Sequence, residues 1–213
     1  MPLNDIGIVT SARGPRGLTA GSGSTAWLDS SGAMVVMDFY KKAILDGHGF
    51  QVRLGVLTTP VSADVEVTTV AAEMSADSTA GLVIIPTRFT FNLEAIVGTL
   101  PQASVKMTAT ASTAGTAFVP LPMLTGGRAA STTARAAAAG GVTVVDDAAT
   151  TTRLLYASTQ AAAGNFDVDI DLTGRGVVNG AGNIYVAVGS VTTGSTYFSG
   201  LTYLEYTAAQ LGL

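Results

Sequence analysis

Residues 165–172 read NFDVDIDL. Phe166, Val168, Ile170 and Leu172 alternate there with Asp167, Asp169 and Asp171. Successive side chains of a β-strand point to opposite faces, so the stretch sets its apolar side chains on one face and its carboxylates on the other. A helix would scatter the same residues around its circumference. The stretch therefore reads as a strand with one face in a core and the other in water.

The same period recurs along the chain. Phe89, Phe91 and Leu93 alternate with Arg88, Thr90, Asn92 and Glu94, and Val105, Met107 and Ala109 with Lys106, Thr108 and Thr110. Val52, Leu54 and Val56 share one face, as do Val65 and Val67, and Ile184, Val186 and Val188. These patterns predict strands near residues 50–57, 63–70, 87–96, 104–110, 165–172, 183–189 and 196–206. The abundant Thr suits the wet faces. Asn179-Gly180 is a hairpin signal, because both residue types tolerate positive φ. Asp46-Gly47 and Gly126-Gly127 read as further turns, and Pro60, Pro86, Pro101, Pro120 and Pro122 fall at strand edges or in connections. Short strands with frequent turns make an all-β fold, a sandwich or barrel.

Two segments stand outside this pattern. Met34 to Leu45 fits a helix ended by Gly47 and fits strands equally well. Ser131 to Ala139 (STTARAAAA) is rich in helix formers and predicts a short helix or an Ala-rich loop. Residues 1–24 form a separate zone, in which Ser11 to Ser24 is rich in Gly and Ser and carries only Arg13 and Arg16 as charges. Such a stretch buries too little apolar surface to offset its ordering entropy. It reads as an extended N-terminal arm that orders on a neighbour, with residues 25–213 as a single β-sandwich domain.

Composition narrows the function. The chain has 213 residues, 11 Lys and Arg, 15 Asp and Glu, a net charge of −4 and no cysteine. Weak acidity argues against specific nucleic-acid binding. The missing cysteines remove disulfides, thiol nucleophiles and Cys-based zinc sites. No stretch reaches the run of about 18 apolar residues expected of a membrane helix, and no basic and then apolar leader opens the chain. Synthesis in a cytoplasm, without a signal peptide, is the expectation. Charged residues make up 12% of the chain, against roughly 25% in soluble domains, and mean hydropathy is +0.42. Dispersed globules normally carry more charge, so much of this surface is expected to face other subunits.

No catalytic, cofactor or metal site is expected. His48 is the only histidine, lies in a turn signal (Asp46-Gly47-His48-Gly49) and has no G-x-S-x-G nucleophile elbow to serve. The D-x-D-x-D spacing of Asp167, Asp169 and Asp171 resembles a calcium loop. On a strand, however, alternate side chains stand roughly 7 Å apart, too far for one cation, and neither the turning Gly nor the closing Glu is present. A solvated or interfacial acidic face is the expected role, with a calcium site completed by Asp146 and Asp147 as the rival. Phosphate-binding loops are absent, since Gly21-Ser22-Gly23 lacks a third glycine. Tyr197, Phe198, Tyr203 and Tyr206 cluster near the C-terminus; they read as core or interface packing, or as a sugar platform.

The closing stretch GNIYVAVGSVTTGSTYFSGLTYLEY, residues 182–206, resembles the final strand pair of jelly-roll subunits in viral and bacteriophage particles. A long strand leads through a Gly/Ser/Thr turn to an aromatic-rich strand that closes the sheet. The resemblance implies a jelly-roll-like sandwich and a virion subunit (capsid, decoration or tail-associated) that acts through contacts with its own copies and other particle proteins. It carries over no catalytic residues. The alternative expectation is a carbohydrate- or ligand-binding β-sandwich that stacks a glycan on Tyr197, Tyr203 or Tyr206.

Overall fold

A computed structural model describes residues 7–9, 23–25, 38–64, 70–95, 101–146, 151–159, 166–189 and 195–213. In chain order its elements begin with β1 (Gly7–Val9), β2 (Gly23–Thr25), α1 (Phe39–Leu45), β3 (Gly49–Leu54), β4 (Val61–Ser62), β5 (Ala71–Ala72) and β6 (Met74–Ser78). They continue with β7 (Leu82–Ala95), β8 (Gln102–Thr108), β9 (Thr113–Ala114), β10 (Thr116–Phe118), β11 (Leu121–Pro122), β12 (Thr133–Ala136) and β13 (Val142–Thr143). The chain closes with β14 (Arg153–Thr159), β15 (Asp167–Asp171), β16 (Val178–Asn179), β17 (Gly182–Gly189), β18 (Thr196–Thr207) and α2 (Ala208–Leu211).

Two antiparallel sheets form a sandwich, as the alternation predicts. One runs β10-β12-β6-β17-β8-β14, and the other runs β11-β3-β18-β7-β15, with β16 paired to β7 and β4 to β18. The core lies between them. Phe50, Val52, Phe89, Phe91, Val168, Tyr197, Leu201 and Tyr203 enter it from the second sheet, and Met74, Val105, Ala134, Ile184, Val186 and Val188 from the first. The eight longer sandwich strands (β3, β6, β7, β8, β14, β15, β17 and β18) take the spatial order first-eighth-third-sixth in one sheet and second-seventh-fourth-fifth in the other.

Both sheets are also partly covered on their outer faces. The β5-β13-β9 sheet covers Tyr185 of β17, where Ala72, Val142 and Val144 make a second small core. On the other sheet, Ala43 of α1 packs on Leu204 and Tyr206 of β18. The α1 helix begins at Asp38, whose carboxylate accepts the Tyr40 (2.9 Å) and Lys41 (3.3 Å) amides. It ends before Gly47, whose φ of +79° only a residue tolerant of the left-handed region adopts without strain.

Four departures from expectation have physical reasons. The Ala-rich segment 131–139 is neither helix nor loop throughout: its centre is β12, held by β6 on one side and β10 on the other. Sheet pairing overrides the helix propensity of alanine, and the small side chain of Ala134 fits the core at 0% exposure. Asn179-Gly180 turns, but β16 pairs with β7 and β17 with β6 and β8, so the turn carries the chain between sheets and is no hairpin. Pro86 lies inside β7. It sits at the register shift opposite Thr202/Tyr203, between the stretches of β7 that pair with β15 and with β16, where its missing N–H breaks no ladder. The strand begun at Gly49 stops at Leu54, and Val56 instead bridges Thr59 in a tight turn.

Residues 65–69, within the strand expected at 63–70, lie outside the described residues, as do residues 34–37. The arm expected at residues 1–24 is described only where Gly7–Val9 pairs antiparallel with Gly23–Thr25, a sheet joined to no other described strand.

Candidate functional site

Among the described residues, both flanks of the sandwich carry exposed apolar side chains. At one flank β10 and β11 are the outer strands of the two sheets, and Val119-Pro120 links them directly. Val119 and Leu121 are each 59% exposed and Met123 is 41% exposed. An open edge normally offers unpaired N–H and C=O groups to another strand. Pro120 and Pro122 withhold two of the N–H groups here, so this flank is shaped to pack side chains rather than to add a strand.

At the opposite flank the outer strands are β14 and β15. A bulge between Leu154 and Tyr156 bends β14, turning Leu155 into the core and leaving Leu154 61% exposed. Beside it β15 turns Asp167, Asp169 and Asp171 outward, as expected from their alternation. Arg88 on the neighbouring β7 forms a two-pronged ion pair with Asp169 (Nε to Oδ1, 2.6 Å). This bond holds the Asp169 carboxyl below its ordinary range. Asn92 donates to Asp167 (3.1 Å) and the Thr173 amide to Asp171 (2.8 Å). Each aspartate thus has its own partner. Asp146 pairs with Lys106 instead, and Asp147 lies outside the described residues. Among the described residues no group of three or more His, Asp or Glu side chains is placed to hold a metal.

A shallow groove of about 470 Å³ runs along the outer face of the second sheet between α1 and β15. Tyr40, Ile44 and Leu204 supply apolar lining, and Arg88, Asp169 and Thr202 polar lining. The Thr87 and Thr202 hydroxyls hydrogen-bond to each other at 2.8 Å.

His48 has a structural post. Its Nδ1 donates to the Glu205 carbonyl (2.9 Å), and its ring stacks on Tyr206 at 4.2 Å. The tyrosines of the suggested sugar platform are closed to a ligand: Tyr197 and Tyr203 are 0% exposed and Tyr206 is 5% exposed, which leaves only Phe198 of the four aromatics partly exposed. The register explains it, since Tyr197 and Tyr203 share the inward face of β18 and Tyr206 is sandwiched by Phe39 and His48 on the outer face.

Two of the three buried acids that escaped the sequence reading are glutamates, the third being Asp77. Glu205 accepts Arg128 Nη1 (2.7 Å) and the amides of Ser131 (3.0 Å) and Thr132 (2.8 Å). Burial alone would raise its pKa, but the guanidinium and the amides outweigh that and hold it below the usual range. Glu73 is the other, and its Oε2 accepts the Val188 amide (2.6 Å). The only local signal for either is one acid inside an otherwise apolar run, AAEM or YLEY. Among the described residues no helix is long and apolar enough to cross a membrane. No family model matches this chain, and neither does any curated protein or solved structure.

Proposed function

We propose that this chain is a structural subunit that assembles with its own copies, of the kind that builds virus-like or bacteriophage particles. The observation that carries this reading is the strand order. First-eighth-third-sixth facing second-seventh-fourth-fifth is the wiring that folding a long antiparallel ribbon into nested Greek keys gives a jelly roll, an architecture that recurs in capsid and lectin domains. Metal-dependent cupins share the architecture, but a chain with one histidine lacks their usual ligand set. The two flanks add support. Exposed Val119, Leu121 and Met123 on one side and Leu154 on the other are different patches. Packing one against the other in a neighbour is a heterologous contact, which builds rings where the rotation closes and extended arrays where it does not. The low charge of the chain fits burial of these faces in an assembly.

The N-terminal zone fits the same reading, because its described sheet joins no strand of the sandwich. A truncation beginning at Ser24 is expected to melt cooperatively near the full-length temperature under dissociating conditions, and to form smaller or weaker assemblies. Failure of the truncated chain to fold would make residues 1–24 part of the core. A second reading, a glycan- or ligand-binding module, draws on the groove beside α1 and its Arg88, Asp169 and Thr202 lining. It predicts retention on a glycan array by a protein that stays monomeric.

A further inference from the structure

The groove on the outer face of the second sheet has two kinds of lining, and together they call for a particular occupant. Tyr40 and Ile44 stand four residues apart and so share one face of α1, which forms one wall. Leu204 of β18 and Met123 continue the apolar lining, and Asp171 and Thr202 add oxygens to it. The Asp171 carboxylate accepts the Thr173 amide at 2.8 Å, which uses only part of a carboxylate's roughly four acceptor positions. A volume of about 470 Å³ falls within the roughly 300–1,000 Å³ of small-molecule pockets, so it seats a few side chains and no more. A fitting occupant has a broad apolar body and a hydrogen-bond donor.

The chain carries such a side chain close by. Residues 26–37, which lie outside the described residues, read AWLDSSGAMVVM and hold the chain's single tryptophan, Trp27. Asp29 is their one charge. Unlike the Gly- and Ser-rich residues 11–24, this stretch has much apolar surface, whose exposure to water is costly. Indole joins a large apolar face to one N–H that needs an acceptor once buried. The stretch also ends at the groove. It runs directly into Asp38, the cap of α1, and Met37 is three residues before Tyr40, a span of roughly 11 Å at most. Trp27 precedes Asp38 by eleven residues, a reach of up to about 40 Å and enough to turn back over the groove. Further upstream, Ser11 to Ser24 has Arg13 and Arg16 as its only charges, opposite in sign to the outward aspartates of β15, of which Arg88 ion-pairs with one.

We propose that the groove between α1 and β15 is the seat of the chain's own residues 26–37, with Trp27 as the anchor. The indole packs against Tyr40, Ile44 and Leu204, and its N–H donates to the Asp171 carboxylate. The tether to Asp38 favours this segment over the same segment of another copy, because an intramolecular ligand acts at a high effective concentration. The docked segment fixes where residues 1–25 leave the body, beside β15, and so sets which neighbour an arm can reach. It also closes the groove to a glycan. The seat forms within one subunit and does not depend on assembly.

Trp27 reports on its own seat, because no other tryptophan is present. Fluorescence of the full chain tests the proposal, both at dilutions where it sediments as a monomer and at high concentration. At both, emission should lie to the blue of the urea-unfolded chain, with acrylamide quenching several-fold weaker. Thr202→Arg, inside the groove, and Met123→Asp, at a position 41% exposed, should each move the emission to the red and bring quenching toward the unfolded value, while melting stays cooperative. Emission at the unfolded wavelength in the folded wild type overturns the proposal, a readout that stands even where a variant fails to fold. Protection that appears only where copies associate seats the segment on a neighbour and overturns it too. So does protection that both folded variants leave unchanged, which places Trp27 elsewhere. A chain that stays monomeric with a protected, groove-sensitive Trp27 keeps the seat and counts against assembly alone.

Discussion

At the residue scale, Glu205 and Glu73 show how one side chain type serves opposite ends. Both are 1% exposed, yet donors hold the Glu205 carboxyl below its ordinary range and burial pushes the Glu73 carboxyl up to about 8. Replacing the Glu205 carboxylate by an amide keeps one acceptor oxygen but turns an NH2 group toward Arg128 or the Ser131 and Thr132 amides, and removes the charge they bind. Hydrogen bonds to a charged group contribute about 1.5–3 kcal/mol each, less where one partner reaches solvent as Arg128 does. Glu205→Gln is therefore expected to cost about 1–3 kcal/mol in urea denaturation at neutral pH. The Glu205 carboxyl sits below its ordinary range, so its contribution is present above the unfolded value of 4.5 and fades as pH falls through the folded one. The difference between variant and wild type should shrink in acid, as pH falls through the folded value of Glu205. Neither site was legible in the sequence. Glu205 lies 77 residues from Arg128 and 73 from Thr132, and only the folded register of β18 brings them together. The exposed aspartates of β15 were legible, because their place depends on the local alternation alone.

At the element scale, alternation found the central strands and missed those whose fate depends on their neighbours. β7, β15, β17 and β18 lie within a few residues of expectation, since each carries its own apolar face. β12 has the composition of a helix and becomes a strand because β6 and β10 flank it. β6 (MSADS) alternates only weakly, Met74 and Ala76 against Ser75 and Asp77; with both faces buried, its short pattern of small and polar residues does not stand out as a strand. The assignment of β12 has a direct consequence. Ala134 is 0% exposed between the sheets, whereas Ala138 is exposed in the following turn. Ala134→Leu should overpack the core and cost about 1–3 kcal/mol. Ala138→Leu should stay within about 0.5 kcal/mol of wild type. Chemical denaturation of the pair checks this, and equal costs would mean that β12 does not line the core.

At the scale of the whole molecule, the sandwich is a rigid block whose two sheets are each covered on part of the outer face, by the β5-β13-β9 sheet and by α1. Among the described residues, apolar side chains stay open at both flanks. Lys-rich edges are a common guard against association; here Leu121 at 59% and Leu154 at 61% exposure stand in such positions. All-β character and a self-contained core were readable from the recurring period-two pattern, while the wiring of the sheets was not, because strand order depends on pairings between distant segments. The proposed assembly uses these flanks as contacts between copies of the same chain. Sedimentation of the full chain beside a Leu121→Lys variant checks this. Multi-subunit species are expected for the wild type, with a shift toward the 21.5 kDa monomer for a variant with an unchanged melting temperature. A wild type that sediments as a 21.5 kDa monomer at every concentration, with the variant indistinguishable from it, would contradict the claim.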